Sequence, residues 1–139
     1  MQKFILLFLV LFFCSCSFKK EKKINKTTNN IYKQSEMAAL MLKMHAVNLE
    51  NKELILKGEQ PNNFPKEFLK IHSAKLTDST DRDTSFKGFS NIYLNTFKEV
   101  YTSKDSLKLK HNNTINSCIA CHQTTCLGPI PKIKKLFIK

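Results

Sequence analysis

The amino-acid sequence predicts an all-α protein, an antiparallel four-helix bundle that occupies residues 35–139 of the 139-residue chain. In this region apolar residues recur at spacings of three and four in four separate segments, which is the period of amphipathic helices. No segment shows the alternation of apolar and polar residues that is typical of strands. The first two helices are joined by a short link, as antiparallel neighbours in a bundle commonly are.

The first two helices are indicated by the residues at their ends. Ser35 suits an N-cap and Gly58 suits the C′ position, so the first helix is expected between them. Its buried stripe is predicted to contain Met37, Leu40, Met41, Met44, Val47 or Asn48, Leu54 and Ile55. After a loop at residues 60–63, Pro65 is acceptable as the first residue of a second helix that runs to about Lys75. This helix is expected to bury Phe68, Leu69 and Ile71, with His72 as a further candidate.

A stripe of mostly aromatic residues predicts the third helix after a polar connection at residues 77–85. The stripe contains Phe86, Phe89, Tyr93, Phe97, Val100 and Tyr101. A fourth helix is expected to begin at Asn112 or Asn113 and to end before Gly128. The tail at residues 130–139 alternates apolar residues with lysines, and we expect it to pack back across the bundle.

The first residues of the chain have the pattern of an export signal. Lys3 precedes an apolar run that is too short to span a bilayer comfortably. A small residue directly before Cys16 is similar to a lipobox, which predicts a lipoprotein signal peptide over residues 1–15 and a lipid on Cys16. Secretion with simple cleavage nearby is the alternative. Residues 16–34 are predicted to form a flexible tether, and either route places the folded domain on the periplasmic side of a bacterial membrane.

The chain is strongly basic, with 23 Lys and Arg against 11 Asp and Glu and a net charge of +12. Such a charge attracts acidic proteins, anionic lipids or nucleic acid. Export and the lack of a nucleic-acid-binding motif argue against nucleic acid. Because nearly all the basic residues are lysine and asparagine is frequent, a genome-wide bias explains the charge equally well, and the charge alone assigns no partner.

The stretch Cys118-Ile119-Ala120-Cys121-His122 reads C-x-x-C-H, the attachment sequence for a c-type haem. On a helix the two cysteines share a face, so both sulfurs can form thioethers with the vinyl groups of one porphyrin. His122 lies on the same side and can bind the iron. A thioredoxin-like redox pair would be expected near a βαβ pattern, and a zinc site would need a further pair of ligands, neither of which the sequence contains.

The five cysteines can be assigned by subtraction. Cys14 would leave with the signal, Cys16 would carry lipid, and Cys118 and Cys121 would hold haem. Cys126 then has no intramolecular partner, so no disulfide framework is predicted. Its alternatives are a reactive or intermolecular thiol and a buried apolar side chain beside the haem, of which we favour the buried one.

A sixth iron ligand must come from upstream, because no Met or His follows His122. In an antiparallel bundle the first helix can face the fourth, and the first helix carries Met37, Met41, Met44 and His45. Methionines on a buried stripe are also common core residues, so packing is the alternative role. His45, His72 and His111 are expected to be surface or hydrogen-bonded histidines, and His45 is the alternative sixth ligand.

This layout resembles the class II c-type cytochromes, the cytochrome c-prime family and its methionine-ligated relatives, over about residues 35–126. The resemblance rests on a first helix that ends in Leu56-Lys57-Gly58-Glu59, two middle helices and C-x-x-C-H on the last helix. It implies covalent haem c and a first-helix residue on the distal haem face, for which Met41 and then Met44 are the nearest candidates. It also implies a homodimer. The ending from Cys126 to Pro131 departs from the usual family ending.

Together these features predict a lipid-anchored carrier of single electrons that is not an enzyme and whose partners are redox proteins. A five-coordinate haem protein that binds nitric oxide or carbon monoxide is the alternative if Met41 and Met44 only pack. A structural lipoprotein without haem is a third interpretation, and it predicts a colourless protein. A peroxidase is unsupported, because no distal acid and base pair can be placed.

Overall fold

The computed structural model describes residues 33–139. The predicted signal peptide, the lipidation site Cys16 and most of the predicted tether lie outside the described residues. The described part is helical and contains no strand, which confirms the all-α prediction. Its elements in chain order are α1 (Glu36–Leu56), a 3-10 helix (Lys66–His72), a one-turn 3-10 helix (Ser79–Asp81), α2 (Thr84–Thr102), α3 (Leu107–Thr125), α4 (Ile130–Ile133) and a final 3-10 turn (Lys134–Leu136). Within this part, none of the helices is both long enough and apolar enough to cross a bilayer.

Both predicted ends of α1 are confirmed. The Ser35 hydroxyl accepts a hydrogen bond of 3.1 Å from the backbone N–H three residues later, as an N-cap does. At the other end Gly58 has a φ of 78°, a left-handed conformation that glycine adopts without strain. The N–H of Glu59 donates to the carbonyl of Leu54 at 2.9 Å, which completes a Schellman motif and satisfies a carbonyl at the end of the helix.

The second predicted helix is a 3-10 helix that ends at His72, so the predicted α-helix to about Lys75 is wrong in type and length. Pro65 is its N-cap rather than its first helical residue. A 3-10 helix has three residues per turn, so every third residue faces the core. The buried residues of this helix are accordingly Phe68 and Ile71. Leu69, which was predicted to be buried, is 54% exposed, and the further candidate His72 is exposed as well.

The aromatic stripe forms α2 as predicted, and the Asp83 carboxylate caps it by accepting a 2.7 Å hydrogen bond from its first turn. The predicted start of the last long helix at Asn112 or Asn113 is wrong, because α3 begins at Leu107. The Asn112 side chain bonds the backbone of Ile138 in the tail instead of capping a helix. The end before Gly128 is confirmed.

The long helices pack side by side. Lys110 of α3 forms a 3.2 Å ion pair with Glu99 of α2, and Ser117 lies 3.4 Å from Thr96, so α2 and α3 run antiparallel. α1 contacts α3, as expected for the first and last long helices, and the 3-10 helix at 66–72 contacts both α1 and α2. The packing is compatible with a helical bundle. In the described part, three long α-helices and one 3-10 helix stand where four α-helices were predicted.

Two clusters fill the core. The first cluster lies between α1, the 3-10 helix at 66–72 and α2, and its buried residues are Met37, Leu40, Met44, Phe68, Ile71, Ala74, Phe86, Tyr93 and Phe97. The second cluster lies between α3 and the tail and contains Ile115, Ile133 and Leu136. The tail therefore packs back on the bundle as predicted.

Candidate functional site

The three residues of the C-x-x-C-H motif lie on α3, near its C-terminal end, as predicted. Cys118 and Cys121 are free, half-buried thiols on one side of the helix, and both pack against the first cluster. Cys118 also contacts the second cluster. Both cysteines thus lie where α3 meets the first cluster, and each residue keeps part of its surface exposed.

Burial controls the protonation of both thiols. It raises the pKa of Cys118 to about 12, with a further contribution from the nearby Cys121. Burial also raises the pKa of Cys121, and the charge of the Asp83 carboxylate adds to this. Both groups are therefore neutral thiols at neutral pH. Reactive redox cysteines have the opposite property, a lowered pKa that favours the thiolate, so the arrangement does not suit a thioredoxin-like pair.

The orientation of the His122 ring is set by a backbone hydrogen bond. Its Nδ1 lies 2.9 Å from the carbonyl oxygen of Cys126. A carbonyl can only accept, so Nδ1 carries the proton and the lone pair of the neutral ring is on Nε2. A hydrogen bond of this kind on the far nitrogen is what orients metal-binding histidines. The structure thereby provides one nitrogen on His122 that is suited to bind iron.

Cys126 contributes to the site through its backbone and not through its thiol. The prediction that Cys126 is a buried apolar side chain is wrong, because the side chain is exposed. The residue follows the last turn of α3, where its N–H still donates to the His122 carbonyl at 3.1 Å. The chain then turns away toward Gly128, which leaves the thiol in solvent.

The methionines predicted as iron ligands lie in the same cluster as the cysteines. Met44 is buried in the first cluster, and Met41 is half-buried against it. Met37 is also buried there, so all three thioethers share one environment with Cys118 and Cys121. These thioethers and the two cysteines thus belong to one region of the core, and burial alone does not choose a ligand among the methionines.

The histidines outside the motif have other surroundings. His45 is half-buried on α1, and His72 is exposed with its Nδ1 3.3 Å from the Ser90 hydroxyl. His111 is fully buried, and its Nε2 donates to the Leu136 carbonyl at 2.9 Å. The prediction of a hydrogen-bonded histidine is confirmed for His111.

Two polar residues inside the first cluster were not predicted as site residues. Asn48 and Tyr93 are both buried, and the Asn48 amide lies 3.2 Å from the Tyr93 hydroxyl. Burial raises the pKa of Tyr93 well above its ordinary value, and Cys118 adds to this. The sequence signal was an asparagine at a position where the buried stripe of α1 calls for an apolar residue.

In residues 33–139, no three His, Cys, Asp or Glu side chains converge to hold a metal ion by themselves. Haem iron does not need such a group, since the porphyrin supplies four nitrogens and the protein adds one more.

No protein-family model matches the chain, and no curated protein or solved structure matches it either.

Proposed function

We propose that this chain is a c-type cytochrome that carries single electrons through a covalently attached haem. The observation that carries the proposal is the arrangement on α3, where two neutral thiols share a face next to a histidine with an available Nε2. A thioether has no charge, so converting both thiols to thioethers leaves no buried charge to solvate. The residues present thus fit the group that the motif implies.

Each residue of the site has a proposed role. Cys118 and Cys121 would hold the porphyrin through thioether bonds, and His122, kept in position by the Cys126 carbonyl, would bind the iron through Nε2. Met41 or Met44 would provide a further iron ligand from α1. When bound, haem supplies one-electron exchange between ferric and ferrous iron, and a His and Met ligand pair raises its reduction potential.

The proposal includes the location and the partners of the protein. We place it on the periplasmic side of a bacterial membrane, anchored by a lipid on Cys16, and its partners are redox proteins at that membrane. A tether between the lipid and the folded domain keeps the search for these partners local. The order of the helices supports a divergent member of the class II c-type cytochromes.

Expression of the full chain with a bacterial haem-attachment system tests the proposal. We expect a red protein that keeps its pigment after denaturation, with a sharp low-spin absorption spectrum when reduced. The double variant Cys118→Ser and Cys121→Ser should lose the covalent pigment, while Cys126→Ser, a change in an exposed cysteine outside the motif, should keep it. A colourless wild-type protein would contradict the proposal.

Absorption spectra of methionine variants then identify the sixth ligand. Met41→Ala or Met44→Ala should convert the reduced spectrum to a high-spin one that responds to carbon monoxide. Met37→Ala is the matched control, because Met37 is buried in the same cluster without being a predicted ligand. If neither Met41→Ala nor Met44→Ala changes the spectrum, methionine ligation is wrong. A wild-type protein that already responds to carbon monoxide would favour gas binding.

A further inference from the structure

Two asparagine–tyrosine pairs join α1 to α2, and they differ in how completely they are hydrogen-bonded. In the first pair the Asn51 Nδ2 donates to the Tyr101 hydroxyl oxygen at 3.0 Å. The Tyr101 hydroxyl in turn donates to Asn51 Oδ1 at 3.2 Å. Each partner uses both a donor and an acceptor, so this pair is complete in itself.

The second pair, Asn48 and Tyr93, is incomplete. Asn48 Nδ2 donates to the Met44 carbonyl at 2.8 Å and to the Tyr93 hydroxyl oxygen at 3.2 Å. The orientation of the amide is fixed, because the Met44 carbonyl can only accept. Asn48 Oδ1 is therefore the acceptor end of the amide, and it has no hydrogen-bond partner in the described part of the chain. Tyr93 uses its oxygen as the acceptor, which leaves its hydrogen available to donate.

Such unused groups are costly in the interior of a protein. Asn48 is 1% exposed and Tyr93 is 3% exposed, so bulk water does not reach them. A buried donor or acceptor without a partner costs about 1–3 kcal/mol, and native proteins pair nearly all of them. Burial raises the pKa of Tyr93 well above its ordinary value, so the hydroxyl keeps its proton at neutral pH. The pair thus offers one donor and one acceptor within the core.

The position of the incomplete pair relates it to the candidate site. Met44, whose carbonyl binds the Asn48 amide, is a candidate ligand on α1, and Cys118 packs against the same cluster. The complete pair is further away, because Tyr101 lies two turns beyond Tyr93, roughly 12 Å along α2. Tyr101 packs against this cluster as well, but the antiparallel contacts between α2 and α3 place the Tyr93 end of α2, and not the Tyr101 end, level with the motif.

We propose that Asn48 and Tyr93 form a binding site for one water molecule between α1 and α2, level with the motif. The water accepts a hydrogen bond from the Tyr93 hydroxyl and donates one to Asn48 Oδ1, which uses both free groups. This inference rests on the proposed function. It makes Asn48 and Tyr93 positioning residues that affect the iron through the field of an ordered, buried dipole.

The test compares Tyr93→Phe with Tyr101→Phe in the haem-loaded full chain. Each change removes one hydroxyl and keeps the ring, so the aromatic packing of α2 is preserved. Removing the Tyr93 hydroxyl removes the group that donates to the proposed water, so the ordered dipole level with the motif is lost. We therefore expect Tyr93→Phe to shift the midpoint potential and the ferric absorption spectrum. Tyr101→Phe should leave both unchanged, although it loses its bonds to Asn51.

A second comparison covers the case in which Tyr93→Phe does not fold. Asn48→Leu removes the free acceptor and is matched by Asn51→Leu in the complete pair, and only Asn48→Leu should move the potential. A pigmented wild-type protein in which both pairs of variants give unshifted or equally shifted potentials overturns the inference alone. A colourless wild-type protein overturns the proposed function as well, so the two failures are distinguishable.

Discussion

α3 packs against two regions of different chemistry, and Cys118 contacts both of them. On the cysteine side Cys118 and Cys121 contact the first cluster, which consists mainly of aromatic rings and methionines from α1, α2 and the 3-10 helix at 66–72. On the tail side Ile115 contacts the aliphatic residues of the tail in the second cluster. Asn112 accepts a hydrogen bond from the Ile138 N–H and donates one to the Ile138 carbonyl, each at 2.9 Å, and these bonds tie the tail to α3.

The difference separates a purely structural region from one that also holds the candidate chemistry. On the tail side, aliphatic packing and hydrogen bonds from α3 side chains to the tail backbone hold the tail in place. The cysteine side holds the free thiols, the methionines and the incomplete Asn48–Tyr93 pair. Variants on both sides should therefore lose folding stability, and only those on the cysteine side should also change the absorption spectrum.

The largest expected loss of stability comes from Phe97→Ala, at the centre of the first cluster. Phe97 is fully buried, and its ring stacks on Tyr93 with a centroid separation of 5.3 Å. It also contacts the rings of Phe64, Phe68 and Tyr101. Truncating a buried phenylalanine costs about 3–5 kcal/mol, through lost burial and the cavity that remains. Denaturant unfolding should show this loss.

A control for Phe97→Ala is Leu109→Ala on α3, where the leucine is 59% exposed. A surface change of this kind should alter the unfolding free energy by no more than about 0.5 kcal/mol. Equal losses for the two variants would mean that the first cluster does not dominate the stability of the domain, and the contrast between the two sides of α3 would have to be abandoned.

The elements that sequence reasoning found are those with strong local signals. Ser35 and Gly58 mark the ends of α1 through interactions within a few residues, and the motif indicates its own helix. The 3-10 helix was missed because in a short segment apolar residues three apart suit both helix types. The start of α3 was missed because Asn112 bonds a residue far along the chain, a contact that no local pattern records.

The candidate site was predictable in its chemistry but not in its surroundings. The spacing of Cys118, Cys121 and His122 predicts haem attachment without any structure. The bond from His122 to the Cys126 carbonyl depends on how α3 ends, and the Asn48–Tyr93 pair depends on how α1 and α2 pack. A buried polar residue on a helix stripe can be noticed in a sequence, but its partner cannot be identified until the helices are placed.

A smaller loss of stability is expected from Asn112→Ala, which tests how the tail is held on α3. The change removes both hydrogen bonds to the Ile138 backbone and should cost about 1–3 kcal/mol, because a partly buried N–H and carbonyl lose their partners. Hydrogen exchange of the Ile138 amide should become faster than in the wild type. The neighbouring Asn113→Ala, at an exposed position, should leave that exchange rate unchanged. Equal exchange in both variants would show that Asn112 does not hold the tail.

The smallest effect is a pH dependence that originates in His111, between α3 and the tail. Its Nε2 donates to the Leu136 carbonyl, while its buried Nδ1 has no partner in the described residues. Burial lowers the pKa of His111 below the ordinary 6.5, and the charge of Lys52 lowers it further. Below pH 6.5 the unfolded chain therefore binds a proton that the folded chain resists, so this histidine's contribution to stability is complete above pH 6.5 and is lost as the pH falls.

His111→Gln tests this dependence, because glutamine can still donate to the Leu136 carbonyl but does not titrate. Between pH 7.5 and pH 5 the wild type should lose more unfolding free energy than the variant, by at most about 1.4 kcal/mol per pH unit. His72→Gln should keep the wild-type slope, because it leaves His111 in place. If His111→Gln follows the wild-type curve, protonation of the buried ring does not weaken the attachment of the tail, and acid sensitivity must arise elsewhere in the bundle.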